Sequence, residues 1–173
     1  MPTGLSAQDV CDALSVLTSK GQSTQGPANQ INIVNIALAV SGLGPIPVVI
    51  ARLTDIISTT GTIINQVAGA ESLSSKSDQD SVVKSFTTLV QVYQALLNIL
   101  IGKAGLVPNL LPFVGPPMAS VLRQLESVLD TLAYELIDMV PDGKTDMQNQ
   151  MDSLDQTLSN AISAWDANVQ AKL

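Results

Sequence analysis

The segment Ser81–Gly102, SVVKSFTTLVQVYQALLNILIG, most constrains what this chain can become. Wound at 100° per residue, Val82, Phe86, Leu89, Tyr93, Leu96 and Leu100 fall on one line. Val83, Val90, Leu97 and Ile101 widen that line into an arc of roughly 140°. Val92 and Ile99 add a second apolar edge, while Lys84, Thr87, Gln91 and Asn98 take the remaining side. A helix of about 20 residues runs roughly 30 Å, and one this apolar needs other helices on more than one side. The expectation is an all-α protein in which this segment is the central staple of a five-helix bundle.

The rest of the sequence supplies partners of the same kind. Ser6, with Asp9 three residues on, resembles a capping box for a first helix carrying Val10, Leu14 and Leu17. Lys20-Gly21 is expected to close that helix, Gln22–Gly26 to form a polar loop, and Pro27 to open a second piece with Ile31, Val34 and Leu38 inward. The first helix is therefore expected to be broken. Gly21 to Ala51 carries no charge, but Ser41–Pro47 (SGLGPIP) divides it, and neither flank reaches the ~20 apolar residues of a spanning helix. No membrane span is expected. A helix from Pro47 to about Ala68 places Val49, Leu53, Ile56, Ile63, Ile64 and Val67 inward. After a Ser-rich turn, Ser77 with Asp80 is expected to cap the central helix. Lys103–Pro117 reads as an apolar loop, either a lid over the core or a mouth for an apolar guest. Pro117 then starts a helix with Leu122, Leu125, Leu129, Leu132 and Leu136 on one face. Thr145 and Gln148 offer a cap for a last helix, to about Ala171, striped by Met147, Met151, Leu154, Leu158, Ile162 and Trp165. The 173 residues are expected to form a single helical domain, residues 1–173.

Most chemistry is excluded by what the chain lacks. It has no histidine, which removes the commonest general base, the usual catalytic triads and most metal sites. Its net charge of −7 comes with eight scattered Lys and Arg, so no cationic face exists to neutralise nucleic-acid phosphates. Cys11 is the only cysteine and has no cationic neighbours to activate it. The paired carboxylates Asp152/Asp155 and Glu126/Asp130 sit at the solvent side of their stripes. No phosphate loop or calcium loop occurs. The protein is expected to be no enzyme, with no catalytic residue, no metal ligand and no cofactor. The polar start Met1-Pro2-Thr3-Gly4 has neither a positive nor an apolar region, so no signal peptide is expected.

What remains is the interior. Apolar residues make up 46% of the sequence and aromatics 3%, so the core is built from Leu, Ile, Val, Ala and Met. Polar residues on apolar stripes need partners when buried. Tyr93 and Thr60 are two such residues, and Gln94 lies at a stripe edge. Each either satisfies itself on backbone carbonyls or holds the polar head of an apolar ligand.

The order of features resembles the fungal hydrophobic-surface-binding protein family, which includes cell-wall galactomannoproteins with lipid-binding domains. The resemblance rests on SDQDSVVKSFTTLVQVYQALLNIL after a Ser-rich turn, on Gly102-Lys103-Ala104, on PPMASVLRQLESVLDTLAYELIDMVP, and on MDSLDQTLSNAISAW. It implies a five-helix bundle with an apolar central cavity that takes up a fatty acid, on a secreted or cell-wall protein. The partner expected is a long-chain fatty acid or another lipid, with the oligomeric state open. The stripes, not a family motif, give the candidate lining: Val49, Leu53, Ile56, Thr60, Phe86, Leu89, Tyr93, Leu96, Leu125, Leu129, Leu158 and Ile162. The alternative is a surface-active protein that adsorbs to hydrophobic surfaces through an opened bundle or through Leu106–Val114. A third possibility is a solid helical core with neither property.

Overall fold

A computed structural model describes residues 4–106 and 111–166. The chain is all-α: α1 (Ala7–Asn29), a 3-10 segment η1 (Ile36–Ser41), α2 (Pro45–Val67), α3 (Lys76–Ala104), α4 (Leu111–Met139), a 3-10 turn η2 (Pro141–Gly143) and α5 (Lys144–Trp165). The cap at Ser6 forms as expected, with the Asp9 amide donating to Ser6 Oγ at 3.1 Å and the Ser6 amide to Asp9 Oδ2 at 3.1 Å. Those bonds hold the Asp9 carboxyl below the usual carboxylate range.

Several boundaries depart from expectation. The first helix is not broken at Gly21. It runs through Gln22–Gly26 and ends at Asn29, with Pro27 in its last turn. Gly21 is kept inside the helix because the Tyr93 ring lies against it: a Cβ there would fall 2.7 Å from the ring's Cε2. The cap of α3 is Ser75, whose Oγ accepts from the Asp78 amide, not Ser77. Helix α4 begins at Leu111, with Pro116 and Pro117 inside it rather than at its start. Helix α5 starts at Lys144 from Gly143 with no side-chain cap, so Thr145 does not cap it. The expected extension towards Ala171 and part of the Lys103–Pro117 loop lie outside the described residues. The corner between α1 and α2 forms where the sequence places it, and Gly42 (φ 75°) and Gly44 (φ 87°) adopt the left-handed backbone that other residues avoid.

The helices are arranged as a ring. Going round it, α1 packs on α3, α3 on α5, α5 on α4, α4 on α2, and α2 back on α1. The expected central staple is thus one wall of five, with α1 and α5 as its principal neighbours. Cross-links fix the directions. Lys20 pairs with Asp55 at 2.5 Å, and Arg52 donates to Ser23 Oγ at 3.4 Å, so α1 and α2 are antiparallel. Gln94 donates to Ser153 Oγ at 2.8 Å and Trp165 Nε1 to the Leu100 carbonyl at 2.9 Å, so α3 and α5 are parallel. Helices α2 and α3 are long and apolar enough to cross a membrane by length and composition, but both turn buried stripes into this ring.

Candidate functional site

A ring of five helices has no helix on its axis. With neighbours ~9 Å apart, each helix axis stands roughly 8 Å from the centre. A helix with its side chains reaches only about 5–6 Å. The centre is therefore filled by the longest inward side chains.

The predicted lining lies in this interior. Val49, Leu53, Ile56 and Thr60 come from α2, Phe86, Leu89, Tyr93 and Leu96 from α3, Leu125 and Leu129 from α4, and Leu158 from α5; all eleven are buried. Ile162 is only half-buried, at the edge of the α5 stripe. The prediction left out α1, which forms two seams of the ring and buries Val10, Leu14 and Leu17 at 1% exposure or less. Its stripe was visible in the sequence, but the supposed break at Gly21 hid how far the helix continues, through buried Thr24 and Ala28. Val34 and Leu38, expected inward, are exposed at 86% and 45%.

The polar groups on the stripes are satisfied by the protein itself. Tyr93 donates its hydroxyl to the Leu17 carbonyl at 2.8 Å, tying α3 to α1, and burial pushes its phenol pKa up. Thr60 Oγ1 donates to the Ile56 carbonyl of its own helix at 2.7 Å. Gln94 spans the outer edge of the α3–α5 seam, donating to Ser153. The interior around the axis is thus an aliphatic space whose few polar atoms are already paired.

Ionisable groups gather elsewhere. At the α4–α5 seam, Asp155 is not the freely solvated carboxylate expected from the sequence. Burial, then the hydrogen bond and charge of Asp130, then the charges of Glu126 and Asp152, push it up to about 7. Its Oδ1 is buried without a protein partner. Burial also raises Glu126, with Asp130 adding to the rise and Arg123 opposing it. Among the described residues, no group of three or more His, Cys, Asp or Glu could hold a metal ion.

The surface carries clefts of other character. One of about 740 Å³ lies along Gly4–Leu5, ahead of α1, and the connection from α2 to α3. One of about 150 Å³ lies between α1 and α3, beside Cys11 and Thr88. Neither includes any of the twelve predicted lining residues.

No protein-family model matches the sequence, and no curated protein does. Two solved structures are similar over nearly the whole chain. The crystal structure of AfMp4p in complex with palmitic acid is 20% identical at a TM-score of 0.77, covering 92% of this chain and 99% of that one. Ligand binding domain 1 of the Penicillium marneffei MP1 protein, complexed with arachidonic acids, is 16% identical at a TM-score of 0.69, covering 91% and 99%. The resemblance expected from the sequence holds in the fold: this chain has the helical architecture of these two fatty-acid-complexed proteins.

Proposed function

We propose that this protein is a non-catalytic carrier that sequesters a long-chain fatty acid along the axis of its helical ring. The observation that carries the reading is the ring itself. It leaves its axis to side chains alone, lines it with aliphatic residues from every helix, and shares its fold with two proteins solved with palmitic and arachidonic acids. Burying about 15 methylenes is worth on the order of 12 kcal/mol at ~0.8 each. Association and ordering offset perhaps 4–15 kcal/mol of that. Affinity therefore comes from the acyl chain and needs few polar contacts. An aliphatic wall suits such a guest, because Leu, Ile and Met side chains re-pack with little directional loss. The secreted or cell-wall setting rests on the sequence resemblance, and the likeness over more than nine-tenths of the chain fits a single domain.

Native mass spectrometry of the purified protein, beside analysis of its organic extract, tests the reading. The expected result is a complex heavier by one or more fatty-acid masses, or an apoprotein that acquires them on incubation with palmitate. A protein that stays at its apo mass in the presence of long-chain acids would refute it.

A further inference from the structure

The two ends of the ring are closed by different physics. At the end holding the α2–α3 connection and η2, polar bonds sew separate elements together. The Leu73 amide donates to the Met139 carbonyl at 2.9 Å, and Ser72 Oγ donates to the Asp138 carbonyl at 2.9 Å. Buried Gln79 donates to the Leu73 carbonyl and accepts from the Asp142 amide. At the opposite end, every hydrogen bond described for residues 31–44 has its partner within residues 28–43. There η1 rests on α2 and α4 through apolar side chains.

That second end is also where the exposed apolar surface collects. Of the ten large hydrophobic side chains exposed among the described residues, all but Val16 and Tyr134 lie on η1 and its flanks, the first turn of α2, the end of α3 or the first turn of α4. Val34 is 86% exposed, Ile33 68% and Phe113 65%. Exposed apolar groups gathered at one place mark an interaction surface, where scattered ones do not. Charge is distributed to match. No charged residue occurs from Gly21 to Ala51, and the first on α4 is Arg123. The rim nearest the apolar end carries Arg52, Lys103 and, at the end of α5, Asp166 paired with Arg123, while Asp9, Asp12, Glu71, Asp78, Asp138 and Asp142 lie towards the sewn end.

The first turn of α4 under this surface is weakly held. Pro116 and Pro117 remove the amides that would bond the carbonyls of Pro112 and Phe113, so the first turn of α4 lacks two of its ladder bonds. Pro45 and Pro47 stand in the first turn of α2, where their missing amides cost no ladder bond.

We propose that the η1 end docks on the surface of a zwitterionic lipid bilayer, and that fatty acid passes between bilayer and ring through the α2–α4 seam beneath it. A bilayer fits because η1, its flanks and the first turns of α2 and α4 are apolar and uncharged, the acid at their rim, Asp166, is paired with Arg123, and most of the other acids lie towards the far end. Val34, Val40 and Phe113 enter the acyl boundary, and Arg52 and Lys103 lie level with headgroup phosphates and fatty-acid carboxylates. The docking stands on the surface alone; the transfer rests on the fatty-acid reading.

Flotation with phosphatidylcholine vesicles tests the docking without any fatty acid. The wild-type protein is expected to float with the vesicles, and the variant V34S/V40S/F113S, three exposed positions, to lose at least tenfold in partitioning with unchanged circular dichroism. Wild-type protein left at the bottom of the gradient overturns the proposal, as does a variant that floats equally well. So does a vesicle-free dimer that the triple variant abolishes. Transfer of a fluorescent long-chain fatty acid to acceptor vesicles is then expected to speed up with vesicle concentration for wild type and to be at least tenfold slower for the variant. A rate independent of vesicle concentration removes the seam as a route. A protein that floats yet keeps its apo mass after incubation with palmitate refutes the carrier reading and leaves the docking surface intact.

Discussion

Replacing Gly21 with alanine puts two opposed effects at one position. In an exposed helix the change is worth about 1 kcal/mol in favour of alanine. Here the new Cβ would stand 2.7 Å from Tyr93 Cε2 and 3.1 Å from Cζ, well inside ordinary carbon contact. The ring is fully buried and its hydroxyl is anchored on the Leu17 carbonyl, so it cannot slide away without giving up that bond. Overpacking costs about 1–3 kcal/mol, and a lost hydrogen bond about 1. Gly21→Ala is therefore expected to destabilise the protein by about 1–2 kcal/mol net. In a Tyr93→Leu background the ring is gone, and the same change is expected to stabilise by about 1 kcal/mol. Urea unfolding followed by the fluorescence of Trp165, the only tryptophan, measures all four corners of the cycle. A Gly21→Ala protein at least as stable as wild type, or one effect of the same sign in both backgrounds, would refute the reasoning. Tyr93→Phe adds a functional control: fatty-acid affinity is expected to change less than twofold, because the hydroxyl is committed to α1.

Leu89→Trp with Leu129→Trp is expected to fill the axial space and lower palmitate binding at least tenfold in a protein that remains helical; retained affinity would place the chain elsewhere. Gln79→Leu leaves the Asp142 amide and the Leu73 carbonyl without their partner, and is expected to cost about 2–3 kcal/mol in chemical denaturation. Asp155 has a folded pKa of about 7 against an ordinary 3.8, so its contribution is fully present below about 3.8 and is lost as pH rises through about 7. Stability is expected to fall between about pH 4 and 7 by on the order of 1 kcal/mol after solvent screening is allowed for, and Asp155→Asn to flatten that slope.

The stripes were legible because each helix needs its inward face whatever its neighbours are: Val82, Phe86, Leu89, Tyr93, Leu96 and Leu100 are all buried as the 3.6-residue period requires. What the local sequence could not hold was anything decided across the ring. Ser75 and Ser77 each have an aspartate three residues later, so both offer the same local cap. The choice falls on Ser75, and the structure that results lets Gln79 join Leu73 to Asp142. Gly21 reads as a helix end until Tyr93, seventy-two positions later, is seen to need its missing side chain. Pro116-Pro117 reads as a start because nothing nearby shows that the preceding turn stays helical. The candidate lining was found as core; that α1 shares the wall, and that α3 is a wall rather than a pillar, depended on neighbour order, which periodicity does not encode.

That neighbour order has a consequence for how the chain reaches its fold. In a simple up-and-down bundle every seam but the closing one joins helices consecutive in sequence. Here only α1–α2 and α4–α5 do so, while α1–α3, α3–α5 and α2–α4 each pass over an intervening helix. Most walls therefore cannot assemble as local hairpins, and the contacts they need lie far apart along the chain. Folding rates fall as such separation grows, so this protein is expected to refold more slowly than a consecutive bundle of its length. The circuit closes only when α5 meets both α3 and α4. A nascent chain lacking that last helix holds its aliphatic stripes open to solvent, and its solubility then depends on how quickly α5 arrives.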